Sequence, residues 1–261
     1  MHPNKQGLDT RPVLVLNTCE ERLQIVLGSS ERLLLHQEWI VPSRTMGVLG
    51  PAVEQALKLL ELAPTDLAGM ACVRGPGSFT GIRIALSTAL GFQAGCGVPL
   101  AGLDYLPLLA RSAAPLRQGT LTVLTYARKG LVYAQTFALP SCESLSDLAV
   151  LRPEQAAELI AALHPPSLCM GSALRRIPQL LELLDAQECE ILPSVLDHPS
   201  AEALLSTALE APYTVEPVVP LYVRASDAED NLPTFARQRG LTPEEARRLL
   251  EELTETPRSS P

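Results

Sequence analysis

Arg74-Gly75-Pro76-Gly77-Ser78-Phe79-Thr80-Gly81-Ile82-Arg83 is the stretch of this chain where residue type and spacing come closest to chemistry. The apolar run from Leu67 to Val73 predicts a strand, the glycines and proline a tight turn, and the residues from Thr80 a helix. Gly75, Gly77 and Gly81 allow close backbone approaches that a side chain would forbid. Ser78 or Thr80 can cap the helix, whose free N–H groups form an anion seat. The spacing matches neither common nucleotide loop. G-x-G-x-x-G needs glycine where Thr80 stands, and a P-loop needs Gly-Lys-Ser/Thr where the chain reads Gly81-Ile82-Arg83. Spacing alone leaves two readings open, a structural strand-to-helix turn and a phosphate seat.

Other chemical constellations are thin. The four histidines (His2, His36, His164, His198) have no mutual spacing that would turn two imidazoles to one metal, and the two beside prolines, His164 and His198, read as surface turn residues. No Gly-x-Ser-x-Gly elbow supports a serine hydrolase. Asp227, Glu229 and Asp230 read as a solvated linker. The six cysteines form no C-x-x-C pair and several sit in apolar runs, which predicts a reduced, cytoplasmic chain with packed thiols. Ser87, Gly91 and Gly95 recur every four residues, a stripe without bulk beside the ridge Ile82, Leu86 and Leu90. Such a groove suits close packing of another helix, from this chain or from a partner.

The elements that must position these residues are those of a protein with 261 residues, enough for one large or two ordinary domains. Hydrophobic residues make up 46% but aromatics only 4%, which predicts a core of Leu, Ala, Val and Ile. A net charge of -8, with only three lysines and no basic block, argues against direct, electrostatically driven binding to nucleic acid. The first twelve residues are polar and read as no secretory leader. Ile84 to Leu103 carries no charge, but Gly91, Gln93, Gly95, Gly97 and Pro99 mark it as a helix and a strand rather than a membrane span.

Alternating runs predict strands at Val13–Asn17, Leu23–Gly28 and Arg32–Ile40. A helix from Thr45 to Leu62 follows, with Met46, Leu49, Val53, Leu57 and Leu60 on one face. Strand Leu67–Val73, helix Thr80–Gly95, strand Val98–Leu103 and helix Asp104–Ala114 complete a first unit. The succession then repeats: a hairpin (Leu121–Tyr126, Leu131–Leu139), a weakly marked strand near Ala149, and helices after Arg152 and Gly171 around a strand at Ser167–Met170. A strand at Glu188–Leu192 and a helix at Pro199–Leu209 end it. The expected class is α/β with mixed central sheets, in units 13–114 and 115–224. Residues 225–261 form a linker and a helix opening at Thr242-Pro243-Glu244-Glu245.

The run from Gly75 to Leu106 closely resembles the signature of the bacterial TsaB family. A looser resemblance extends from Val13 to Arg224, through Tyr126-Ala-Arg-Lys-Gly-Leu-Val-Tyr133 and Pro220-Leu-Tyr-Val-Arg224. The resemblance implies an actin-like ATPase (ASKHA, RNase H-like) fold in two lobes. It also implies a non-catalytic subunit of the complex that forms threonylcarbamoyladenosine next to the tRNA anticodon. A TsaD-like subunit would supply metal and transfer chemistry, a TsaE-like ATPase would join the cycle, and tRNA would be met only through the complex, away from any membrane. In the family the helices matching 45–62 and 80–95 bundle with TsaD or with a second copy. Met46, Leu49, Val53, Ser87, Gly91 and Gly95 are thus the expected partner interface, and Gly75, Gly77, Ser78, Thr80, Gly81 and Arg83 the signature loop.

The chain departs from the family where acids would serve a metal. Asn17-Thr18-Cys19 stands for Asp-Thr-Ala, Tyr126-Ala127-Arg128 for Asp-Ala-Arg, and Leu131 for the glutamate that follows. Asn brings no negative charge to a cation, so no cofactor, no metal and no independent ATP hydrolysis are expected. The runner-up is an autonomous ATP-dependent or glycoprotease-like metalloenzyme, which would need the acids these positions lack. A self-associating structural dimer would use the same helices without TsaD.

Overall fold

Val13 to Asn17 is buried at every position, the mark of a central strand covered on both faces. In the computed structural model, which describes residues 10–41, 45–163, 167–185, 189–223 and Thr242, this is β1. It pairs antiparallel with β2 (Arg22–Gly28), which pairs with the half-exposed edge strand β3 (Leu33–Ile40). After α1 (Thr45–Leu59), β4 (Gly69–Gly75) lies parallel to β1 on its other side. Then come α2 (Phe79–Cys96), β5 (Leu100–Asp104) parallel to β4, and α3 (Tyr105–Ala113). The sheet order is β3-β2-β1-β4-β5.

The second half repeats this plan. β6 (Gly119–Arg128) is central and pairs antiparallel with β7 (Leu131–Leu139), onto which the short β8 (Glu143–Ser144) and β9 (Ala149–Leu151) add. Beyond α4 (Pro153–Ala161), β10 (Ser167–Met170) runs parallel to β6. After α5 (Ala173–Arg176) and α6 (Pro178–Asp185), β11 (Cys189–Ile191) runs parallel to β10, and α7 (Ala201–Glu210) closes the set. The order β11-β10-β6-β7-β8 mirrors the first sheet. This duplicated mixed sheet is the two-lobed, actin-like α/β fold.

Alternation along the strands divides the core into three layers. Leu14, Leu16, Ile25 and Met70 turn toward α1 and α2, where Leu49, Val53, Ala85 and Ala89 meet them. Leu124, Val132 and Cys169 turn toward α4 and α6, which supply Ile160, Leu180 and Leu184. Between the sheets, Val13, Val15, Val73, Leu121, Val123 and Phe137 share one cluster with Leu106, Leu109, Leu204 and Ala208 of α3 and α7.

The helices that cross between halves qualify the domain limits 13–114 and 115–224. α3 packs on β6 and β7 of the second sheet, and α7 on β1, β2 and β3 of the first. The chain after α7 also returns to the first half, where Leu100 and Thr214 exchange backbone hydrogen bonds and Leu221 N donates to Arg74 O at 2.8 Å. Residues 10–223 therefore pack as one unit around a shared middle layer, and the limit at 114/115 marks a change of sheet. The expected linker and terminal helix, with Asp227, Glu229 and Asp230, lie outside the described residues apart from Thr242. No helix among the described residues is long and apolar enough to cross a membrane.

Candidate functional site

The glycine loop is folded tightly against the end of β1. Gly75 takes a left-handed φ of 121°, and Ser78 N donates to Cys19 O at 2.6 Å. Ser78 is the N-cap of α2, its Oγ accepting from Gly81 N at 3.1 Å. A Cβ on Gly77 would fall inside 3.0 Å of the Cys19 carbonyl, and one on Gly81 equally close to the Thr18 carbonyl. Thr18 Oγ1 donates to Gly81 O at 2.8 Å. Of the two readings left open by spacing, the structural turn accounts for these glycines: the chain's own carbonyls occupy the space beside the helix start. Thr80 is exposed in the first turn. Arg83 stacks on Phe79, 3.7 Å from guanidinium to ring centroid, and donates to Tyr222 OH at 2.8 Å, tying the segment after α7 to α2.

Asn17, where an acid would serve a metal, is 2% exposed and fully engaged. Its Nδ2 donates to Gln24 Oε1 at 2.8 Å, and its Oδ1 accepts from Cys19 N at 3.1 Å. Gln24 in turn donates to Pro199 O and Glu38. The Tyr126 ring is covered by the Arg176 guanidinium at 3.9 Å, and Leu131 faces Arg128 across the hairpin. Among the described residues, no three His, Cys, Asp or Glu side chains are grouped to hold a metal ion.

A carboxylate that sequence reasoning passed over spans the two halves. Glu20, just beyond β1, accepts hydrogen bonds from Ser172 Oγ, at the start of α5, and from Tyr105 OH of α3 at 3.0 Å. Burial raises its pKa, while those two donors and Arg176 oppose the shift and Asp197 adds to it. The Tyr105 hydroxyl is pushed well up by burial and by Glu20. Ser172 Oγ also accepts from Tyr126 N at 3.0 Å, which fixes the hydroxyl between the end of β6 and Glu20. Asp197 supports the far side, accepting from Gly171 N and Arg175 Nε, both at 2.9 Å. His198 is half-buried with Nδ1 3.9 Å from Glu20, not the surface turn residue expected. Burial and Arg22 lower its pKa, against the opposing pull of Asp197, Glu38 and Glu21. His164 lies outside the described residues. No sequence pattern marks this bridge: Glu20 follows the end of β1 and Ser172 the end of β10, and the packing of the two halves brings them together.

The expected partner-interface residues divide. Ser87, Gly91 and Gly95 lie on the outward face of α2, and a Cβ on either glycine would meet nothing within 4 Å. The stripe is therefore not used to pack α1. Met46 is 77% exposed and Leu90 43%. Leu49 and Val53, each 1% exposed, are corrected: they sit under the sheet in the chain's own core and offer no outer surface. A groove of about 250 Å³ runs beside α2, lined by Arg83, Leu86, Ser87, Leu90, Val218 and Tyr222.

A family model described as "TsaD: tRNA N6-adenosine threonylcarbamoyltransferase" matches residues 43–165, less than half of the chain. The tRNA threonylcarbamoyladenosine biosynthesis protein TsaB of Escherichia coli (strain K12) is 28% identical over 233 residues, 85% of this chain and 98% of that protein. Its counterpart from Bacillus subtilis (strain 168) is 26% identical over 185 residues, 69% of this chain and 79% of the relative. The solved structure of YeaZ from Pseudomonas aeruginosa superposes with a TM-score of 0.65 at 24% identity, covering 81% of this chain and 99% of that one.

Proposed function

We propose that this chain is a member of the TsaB/YeaZ family with a role in tRNA threonylcarbamoyladenosine biosynthesis, as a non-catalytic subunit that binds and positions a TsaD-type transferase, a reading that its similarity to TsaB proteins supports. The observation that carries this reading is the outward face of α2. Ser87, Gly91 and Gly95 leave open space along the helix, so a second helix can approach without side-chain spacers. Met46 and Leu90 add exposed apolar area nearby, and a specific interface of this type buries roughly 1,200–2,000 Å².

The engaged amide of Asn17 supports leaving metal and transfer chemistry to the partner. The net charge of -8 supports the same division, since tRNA phosphates would be repelled unless another subunit supplied basic surface. A TsaE-type ATPase joins the cycle, and the complex works in the cytoplasm. The same α2 face also fits a second copy of this chain, which would compete with TsaD. Reconstitution on unmodified tRNA tests the reading: TsaD and TsaE modify tRNA when this chain is added, and the isolated chain turns over no magnesium–ATP. Full modification without the chain, or magnesium-dependent turnover by the chain alone, overturns it.

A further inference from the structure

Cys169 and Cys189 are twenty positions apart in sequence and carry no motif, yet the fold brings their sulfurs to 2.7 Å. They lie on neighbouring parallel strands, with Ser167 opposite Cys189 and Cys169 opposite Ile191. Alternation puts both cysteines on one face of the sheet as diagonal neighbours. That separation is only about 0.7 Å beyond the ~2.05 Å of a disulfide bond, so little movement would join them. Their exposures differ in a useful way. Cys169 is fully buried on β10, whereas Cys189 is half-buried on β11, the edge of the sheet, where a small oxidant can reach it.

We infer that Cys169 and Cys189 form a peroxide-sensitive thiol pair that closes to an intramolecular disulfide linking β10 to β11. Cys189 is the thiol that reacts first. Hydrogen bonds from Cys169 and Ser167 lower its pKa, while Cys169 is raised by that shared hydrogen bond and by burial. The Cys189 thiolate attacks one oxygen of hydrogen peroxide: an S–O bond forms, the O–O bond breaks, and hydroxide leaves as water after taking a proton. The sulfenic acid left on Cys189 is then attacked by the Cys169 sulfur. The S–S bond forms, the S–O bond breaks, and the Cys169 proton leaves with the departing oxygen as a second water. Two thiols are oxidised by two electrons and one peroxide is reduced to two waters.

The staple would sit behind the interlobe bridge. β10 runs into Gly171 and Ser172, and β11 runs toward Leu192 and Asp197, which hold Arg175 and Gly171. The oxidised form thus ties together the two strands that carry the second half's contacts to Glu20.

Peroxide treatment of the full chain, followed by alkylation under denaturing conditions and peptide mass spectrometry, tests the pair. Four of the six cysteines should stay alkylatable, the intact mass should fall by about 2 Da, and one cross-linked peptide should contain Cys169 and Cys189. Cys189→Ser and, separately, Cys169→Ala should lose the cross-link. Six alkylatable thiols after peroxide, or Cys189 carried to sulfinic acid with Cys169 still free, would overturn the inference. So would a cross-link between any other two cysteines. The wild-type map decides the matter even where a variant fails to fold.

Discussion

Gly81→Ala should destabilise this protein severely although alanine is the better helix former. Gly81 is the third residue of α2 in ordinary helical backbone, so the added methyl meets no φ penalty there. It meets the Thr18 carbonyl instead, closer than 3.0 Å where ordinary contact begins at 3.4 Å. That oxygen is backbone and cannot rotate aside, so α2 and the end of β1 must part. Parting strains the hydrogen bonds Thr18 Oγ1 to Gly81 O and Ser78 N to Cys19 O. Overpacking costs about 1–3 kcal/mol, and the two hydrogen bonds about 1 kcal/mol each. Alanine's helix propensity returns about 1 kcal/mol. The net is a loss of about 3 kcal/mol, which for a protein of this size lowers Tm by roughly 6–12 °C. Circular dichroism melts and urea titration measure it. Gly91→Ala is the matched control, in the same helix with nothing within 4 Å, and should melt at or slightly above wild type. A Gly81→Ala protein melting with wild type would refute the claim that this loop is a backbone contact first.

Three further outcomes are expected. Asn17→Ala should leave the isolated chain as inactive toward magnesium–ATP as wild type, yet cost about 1–3 kcal/mol by stranding Gln24 Oε1 and Cys19 N, as urea unfolding will read. Burial holds the Glu20 carboxyl above its ordinary 4.5, so above that pH the folded state binds more protons than the unfolded chain and this group's contribution falls as pH rises. Wild type should therefore lose ground to Glu20→Gln as pH rises above 4.5, no faster than about 1.4 kcal/mol per pH unit. Urea unfolding of both proteins across that range checks the sign, and wild type gaining on the variant contradicts it. Arg83→Ala should free the segment around Tyr222 with little change in Tm, read as faster amide exchange near Leu221.

The lobes were legible because strand periodicity and turn residues repeat: β1, β2, β10 and α2 fall within a residue or two of where alternation and capping place them. α1 ends three residues early, at Leu59, because the chain turns there with Glu61 in left-handed backbone. Apolar periodicity could not tell Leu49 and Val53, which the sheet covers, from Met46, which nothing covers. A helical face is wider than a contact. The Glu20 bridge and the Cys169–Cys189 approach were illegible for a different reason: each joins residues whose proximity is set by topology, and no local spacing encodes it. The segment after α7 lacks a strand pattern, and its place beside Arg74 and Phe79 rests on single hydrogen bonds and one ring stack.

The central claim is that the outward stripe of α2 is where a TsaD-type subunit docks. Gly91→Leu puts a branched side chain on that stripe, where a Cβ meets nothing within 4 Å among the described residues. Folding should hold, with Tm at or above wild type, since leucine is the better helix former. Across the interface the same side chain sits where a partner backbone should lie, an overpacking of about 1–3 kcal/mol, or roughly a ten- to hundredfold loss of affinity. Titrating TsaD from the same organism against folded wild-type and Gly91→Leu protein measures it directly. That loss is expected with an unchanged or raised Tm; equal affinity of the two folded proteins for TsaD would contradict docking on this stripe.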